Sequence, residues 1–143
     1  MKQIETTISI NAPISEVWNI LMKLSDYSNW NPFIREIKGN ISKGERIEVK
    51  LKPNKDKTMV FKPIVLNNEK EKELRWLGHL FVKGLFDGEH YFKLQKIDAN
   101  KTLFIQGEVF SGFLNGILLK MIGEDTISGF EAMNKALKEQ AEK

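Results

Sequence analysis

The chain has 143 residues, of which 41% are hydrophobic and 29% are charged, and this composition excludes a disordered or membrane-embedded protein. The net charge is only +3 and the lysines are interleaved with glutamates, so we expect no nucleic-acid partner. Cysteine is absent, which excludes disulfides, a thiol nucleophile and cysteine-bound zinc. No segment has the pattern of a signal peptide or a membrane span. We therefore expect one cytoplasmic domain over residues 1–143, without stable membrane insertion and without a cofactor.

Most of the chain shows the two-residue period of strands, interrupted early by short helical segments. In Ile4–Ile10, for example, apolar and polar side chains alternate as in a half-buried strand. The remaining predicted elements are a helix at Ser15–Lys23, a second, very short helix and a bend within Ser25–Pro32, and strands at Phe33–Lys38, Arg46–Leu51, Thr58–Leu66, Leu74–Phe81, Phe86–Ile97 and Leu103–Phe110.

The last segment changes to a helical period. From Phe113 to Ala141, apolar residues lie mostly along one stripe, which predicts one long amphipathic helix. Its glycines lower helix stability by up to ~1 kcal/mol each relative to alanine, so we expect a bend or break near Gly123. The expected fold class is α+β, with a curved antiparallel sheet of about six or seven strands around the long helix. Because such a sheet often leaves a cavity beside the helix, a buried small-molecule pocket is the default functional hypothesis.

The strongest polar signal lies in the last predicted hairpin, from Gly88 to Phe110. A three-residue loop at 98–100 would set Ile97 opposite Lys101. A four-residue loop would slip this register by one residue. The three-residue loop predicts three facing pairs on one side of the sheet, which we assign to the interior: His90 with Glu108, Phe92 with Gln106, and Leu94 with Phe104.

His90 and Glu108 are the candidate catalytic residues. In an apolar cavity this pair could orient a ligand hydroxyl or carbonyl, or serve as a proton relay. The alternative is that two buried polar groups simply satisfy each other, as they must with or without a ligand. For catalysis we favour this alternative, and for lining a pocket we favour the functional interpretation. His79, the other histidine, is expected to point to the face opposite Trp76. Because the two histidines are expected on separate strands and cysteine is absent, no metal site is expected.

Short motifs follow one another along nearly the whole chain. They are Ile10-Asn11-Ala12-Pro13, Val17-Trp18 with Leu21, Tyr27, Trp30-Asn31-Pro32-Phe33, Gly44, Leu74-Arg75-Trp76-Leu77-Gly78, Gly88-Glu89-His90, and Gly129-Phe130 with Met133-Asn134. In this order they resemble the START/Bet v 1-like (SRPBCC) helix-grip superfamily, and most closely its bacterial polyketide cyclase/dehydrase and lipid-transport group. The resemblance implies the helix-grip fold. It does not select one activity, since members bind sterols, lipids, hormones or polyketides, some cyclise aromatic polyketides, and some act on chaperones.

Three functional hypotheses remain, and whether the protein is an enzyme is left open. We favour a binder or carrier of a hydrophobic small molecule, such as a lipid or polyketide. The second hypothesis is a cyclase, dehydratase or isomerase that uses His90 and Glu108 as acid and base, and the third is a protein-interaction module like the chaperone activators. A homodimer is also left open. The residues expected to bind the ligand are Trp30, Phe33, Trp76, His90, Phe92, Gln106, Glu108, Phe110, Leu118, Met121 and Phe130.

Overall fold

The computed structural model describes residues 2–80 and 84–143 of the chain. Its elements are β1 (Lys2–Ile10), α1 (Ile14–Met22), a 3₁₀ turn (Leu24–Asp26), α2 (Tyr27–Trp30), β2 (Ile34–Lys38), β3 (Glu48–Asn54), β4 (Lys57–Phe61), β5 (Ile64–Glu69), β6 (Glu73–Leu80), β7 (Phe86–Asp98), β8 (Lys101–Ser111) and α3 (Asn115–Ala141). The expected α+β fold, with two short helices after the first strand and a long C-terminal helix, is confirmed. Phe81, the expected end of β6, lies outside the described residues.

The described strands form two antiparallel sheets. The larger sheet has the order β1-β8-β7-β6-β5, and the smaller has the order β2-β3-β4. An isolated bridge from Arg46 to Ile64 connects the chain near β3 to β5. The two sheets together with α3 therefore provide three walls around the interior.

One predicted strand, Thr58–Leu66, is wrong because the structure divides it between the two sheets. Residues up to Phe61 pair with β3, whereas residues from Ile64 pair with β6. Pro63 lies between these segments, and proline has no N–H to donate to a strand ladder. Its carbonyl instead accepts a hydrogen bond from the backbone N–H of Ile47 at 2.9 Å. The chain thus changes sheets at Pro63.

The β7–β8 hairpin has the predicted register but a different loop. His90 faces Glu108, and the other two predicted pairs are also present. However, Asp98 pairs with Lys101 across a two-residue turn, and the register shifts between Lys96 and Asp98. Ile97 is therefore a bulged residue and does not face Lys101. One bulged residue and a two-residue turn give the same register as the predicted three-residue loop.

Helix α3 is continuous, without the expected break at Gly123. Its buried residues all lie in the second half, from Gly129 to Ala141. There, residues spaced three or four apart pack against β1 and α1 as part of the main hydrophobic core. In the first half, by contrast, Met121 is 72% exposed, and Phe113, just before the helix, is 88% exposed. The helix is therefore anchored by its C-terminal half, and its N-terminal half passes over a less filled part of the interior.

Candidate functional site

A cavity lies between the two sheets and the first half of α3. It has a volume of about 130 Å³. Most of the lining is apolar. Phe33 and Trp76 contribute aromatic surface, and Ile122 of α3 lies on the helical wall.

His90 and Glu108 form a hydrogen-bonded pair in this lining. The distance between His90 Nδ1 and Glu108 Oε1 is 3.0 Å, and the second ring nitrogen, Nε2, lies 3.1 Å from Gln106 Oε1. The side chain of His90 is 5% exposed and that of Glu108 is 20% exposed. The pair is therefore largely removed from solvent, and Glu108 is its more accessible member.

Aromatic rings hold the imidazole of His90 in place. Trp76 stacks on it with ring centroids 5.1 Å apart and an interplanar angle of 13°. Phe92 and Phe130 approach it edge-on, with centroid distances of 5.0 and 5.1 Å. Edge-to-face and stacked contacts of this kind add to the stabilisation from burial. Packing and both nitrogen contacts therefore define the ring orientation.

A glycine beside Glu108 makes room for its carboxylate. Gly78 of β6 and Gly88 of β7 face each other, and both line the cavity. A Cβ at Gly88 would lie 2.1 Å from Glu108 Oε2, which is too close for any side chain. A Cβ at Gly78 would only touch Pro63, at 3.6 Å. Gly88 is therefore required for the observed position of Glu108, whereas Gly78 is not.

The mouth of the cavity carries further polar groups. Asn54 at the end of β3 donates a hydrogen bond from Nδ2 to Asp125 Oδ2 of α3 at 2.9 Å. His79 Nδ1 lies 2.7 Å from Asp87 Oδ1, which also accepts the N–H of Gly84. His79 is among the lining residues although its ring pairs with Asp87. Hydrogen-bonded polar groups thus accompany the mostly apolar lining.

The structure brings some of the expected ligand-binding residues together and separates others. The cavity lining includes Phe33, Trp76, His90, Glu108 and Phe110. Three more are buried beside the ring of His90 but do not line the cavity: Phe92, Gln106 and Phe130. The other three lie outside the described lining, with Trp30 packed on Tyr27, Leu118 half-buried and Met121 exposed.

The lining also contains residues that sequence reasoning did not assign to the site. They are Val49, Leu51, Pro53, Lys57, Met59, Phe61, Pro63, Gly78, His79, Phe86, Gly88, Ile122, Asp125 and Thr126. A usable signal existed for β3, where Val49 and Leu51 alternate on one face. The alternation shows that they share a face, but it does not show which interior space that face borders.

A long helix held against antiparallel strands, with a cavity between them, defines a protein of the START/Bet v 1-like helix-grip class. Residues 1–142 match the family model described as polyketide cyclase/dehydrase and lipid transport, and the chain belongs to this family. No curated protein matches the chain. Within the described residues, no helix has the length and hydropathy needed to cross a membrane.

Solved structures share this fold at low sequence identity. The Zhui aromatase/cyclase from Streptomyces sp. R1128 matches with a TM-score of 0.80 and 13% identity, over 99% of this chain and 93% of that chain. A START superfamily protein from Mycobacterium smegmatis matches with a TM-score of 0.72 and 16% identity, over 98% and 97%. A hypothetical protein from Helicobacter pylori matches with a TM-score of 0.77 and 16% identity, over 98% and 88%. At these identities the similarity shows the fold alone.

Proposed function

We propose that this protein binds or carries a hydrophobic small molecule in the cavity between the sheets and α3. The observation that carries the proposal is an apolar cavity with one buried polar pair, His90 and Glu108, in its wall. Small-molecule sites are typically concave, mostly apolar, and supplied with a few polar groups that orient the ligand. The family description, which names both cyclase chemistry and lipid transport, is consistent with a ligand of this kind.

The dimensions of the cavity limit what it can enclose. Its volume, about 130 Å³, is smaller than the ~300–1,000 Å³ typical of ligand pockets. It is close to the ~150 Å³ of an apolar cavity that takes up benzene. The cavity therefore accommodates about one ring, and the rest of a larger ligand would extend out of it.

Ligand capture by a matched pair of variants tests this proposal. Ile122→Trp adds a large side chain to the cavity wall, whereas Ile127→Trp makes the same change at a helix position that does not line the described cavity. We expect native mass spectrometry to detect a bound hydrophobic molecule in the wild type and in Ile127→Trp, but not in Ile122→Trp. Equal retention by both variants would place the ligand elsewhere and contradict the proposal.

The contact between His90 and Glu108 also supports a second candidate function, a cyclase, dehydratase or isomerase. The 3.0 Å separation of Nδ1 and Oε1 is suitable for proton transfer between an acid and a base at the cavity wall. We expect His90→Gln to abolish ring closure or dehydration of a linear polyketide substrate while leaving its binding nearly unchanged. Equal turnover by this variant would eliminate the enzyme hypothesis and leave the binder.

A further inference from the structure

We propose that the cavity selects neutral ligands that carry a hydroxyl or N–H donor, and that α3 imposes this selectivity by fixing a proton on His90. The inference rests on the proposed binding function and specifies its ligand class. It depends on a hydrogen-bond network of Thr6, Gln106, Asn134 and His90, here called the Gln106 network. This network joins β1, β7 and β8 to the buried half of α3.

Two backbone carbonyls, which can only accept hydrogen bonds, set the direction of the Gln106 network. The Thr6 hydroxyl donates to the carbonyl of Gln106 at 3.1 Å, so its oxygen accepts from Asn134 Nδ2 at 2.8 Å. Asn134 Oδ1 must then face the amide nitrogen of Gln106, at 2.8 Å. That nitrogen also donates to the carbonyl of Phe130 at 3.4 Å. With its nitrogen committed in this way, Gln106 presents its side-chain oxygen to His90.

The orientation of Gln106 determines the protonation of His90 at Nε2. Because Gln106 Oε1 is an acceptor, Nε2 must carry a hydrogen to form the 3.1 Å contact. The other contact, from Nδ1 to Glu108 Oε1, then holds a proton between two groups that are otherwise both acceptors. Whether this proton resides on the ring or on the carboxyl group, Glu108 Oε2 remains a hydrogen-bond acceptor.

Oε2 is the acceptor that the cavity offers to a ligand. It lies directly over Gly88, a lining residue with no side chain to cover it. Within residues 2–80 and 84–143, no hydrogen bond reaches this atom. Both nitrogens of His90 are already engaged, so its ring has no N–H left for a ligand.

Several other polar side chains of the described lining are hydrogen-bonded within the protein. The Thr126 hydroxyl donates to the carbonyl of Ile122 at 2.9 Å. Asp125 accepts from Asn54, and His79 pairs with Asp87. Lys57 is exposed to solvent. In the buried part of the described lining, Glu108 Oε2 is therefore a free acceptor, and the indole N–H of Trp76, stacked on His90, is a donor without a partner.

This arrangement discriminates between three kinds of ligand. A hydroxyl or N–H group can donate to Oε2, whereas an apolar ligand displaces water from this atom without replacing its hydrogen bond. A carboxylate ligand would bring a second acceptor against Oε2 with no proton between them. A neutral aromatic ring with one hydroxyl group matches both the volume of the cavity and the acceptor.

Three ligands of nearly equal shape test the proposal: p-cresol, toluene and p-toluate. We expect calorimetry or NMR titration to show p-cresol binding about 10-fold more tightly than toluene because of one added hydrogen bond, and p-toluate not binding. Glu108→Leu should abolish the preference for p-cresol but retain toluene, while Glu139→Gln, at an exposed position of α3, should leave both affinities unchanged. Equal affinities in the wild type would overturn this inference and leave the binding function standing. Binding of none of the three would overturn both.

Nitrogen-15 NMR of the imidazole rings tests the role of Asn134 as a positioning residue. The chain has two histidines, so the assignment is simple. We expect His90 of the wild type to carry hydrogen at Nε2. Asn134→Asp, which keeps an acceptor for Gln106, should preserve this signature, and Asn134→Leu should lose it together with the p-cresol preference. An unprotonated Nε2 in the wild-type protein would overturn the proposal.

Discussion

Replacing Gly88 by alanine should separate Glu108 from His90 without altering the rest of the cavity. The added Cβ would lie 2.1 Å from Glu108 Oε2 and 3.2 Å from its Cδ, so the carboxyl group has to move. The backbone at Gly88 needs no left-handed conformation, so alanine introduces no backbone strain there. Gly78→Ala is the matched control, because Gly78 faces Gly88 and its Cβ would make only an ordinary contact with Pro63.

The size of the effect follows from the lost contact. A hydrogen bond that involves a charged group contributes about 1.5–3 kcal/mol. Glu108 is 20% exposed and can be rehydrated through the cavity, so we expect the lower end of this range, about 1.5–2 kcal/mol. Replacing glycine by alanine also stabilises the protein by about 0.4–1 kcal/mol, because it restricts the unfolded chain. This effect applies to both variants and cancels when their free energies of unfolding are compared.

Urea unfolding of the two variants measures this difference directly. We expect Gly88→Ala to have the lower free energy of unfolding and a changed nitrogen-15 signal for His90, and Gly78→Ala to retain the wild-type signal. Equal stability of the two variants, with an unchanged His90 signal in both, would refute the assigned contact between His90 and Glu108.

Other predictions concern the helix packing and the tyrosines. Gly129→Ala should destabilise the protein by about 1–3 kcal/mol, because its Cβ would lie 2.3 Å from the ring of Phe33, whereas Gly123→Ala, with no atom within 4 Å, should stabilise α3 by about 0.5–1 kcal/mol. Burial, with a hydrogen bond to a carboxylate, raises the pKa of Tyr91 to about 12, and burial raises the pKa of Tyr27 as well. Since both pKa values exceed the unfolded value of about 10, stability should fall between pH about 10 and about 12.

Thermal unfolding and tyrosinate absorbance check these expectations. Equal melting temperatures for the two helix variants would contradict the packing of Phe33 on Gly129. The native protein should show little tyrosinate absorbance at a pH just above 10, where the unfolded chain already ionises. Identical absorbance titrations of native and unfolded protein would contradict the burial of the tyrosines.

The two-residue period of apolar and polar residues predicts which side chains share a face of the sheet, and the fold confirms this prediction for β7 and β8. The pairing of His90 with Glu108 was predicted correctly although the loop was wrong, because the bulge at Ile97 compensates for the shorter turn. The error at Thr58–Leu66 arose because apolar residues continue on both sides of Pro63. Pro63, which cannot donate a hydrogen bond to a strand ladder, was the residue that indicated an interruption of the strand.

The candidate site was less predictable because it depends on packing between distant segments. Leu118 and Met121 share the apolar stripe of α3, but the stripe does not reveal that the buried contacts begin only at Gly129. Similarly, no sequence pattern indicates that Asn134, far along the chain from Gln106, fixes its amide orientation. Cavity volume is likewise determined by side-chain packing, and the spacing of apolar residues in the sequence does not predict it.

The indole N–H signals of the three tryptophans provide the most direct test of the central claim that the cavity is the ligand site. Trp76 lines the cavity, whereas Trp18 and Trp30 are outside its described lining. In a two-dimensional NMR titration with p-cresol, we expect the Trp76 signal to shift with the ligand while the other two stay in place. A saturable shift at Trp18 or Trp30 without one at Trp76, or no shift at any of them, would contradict the account.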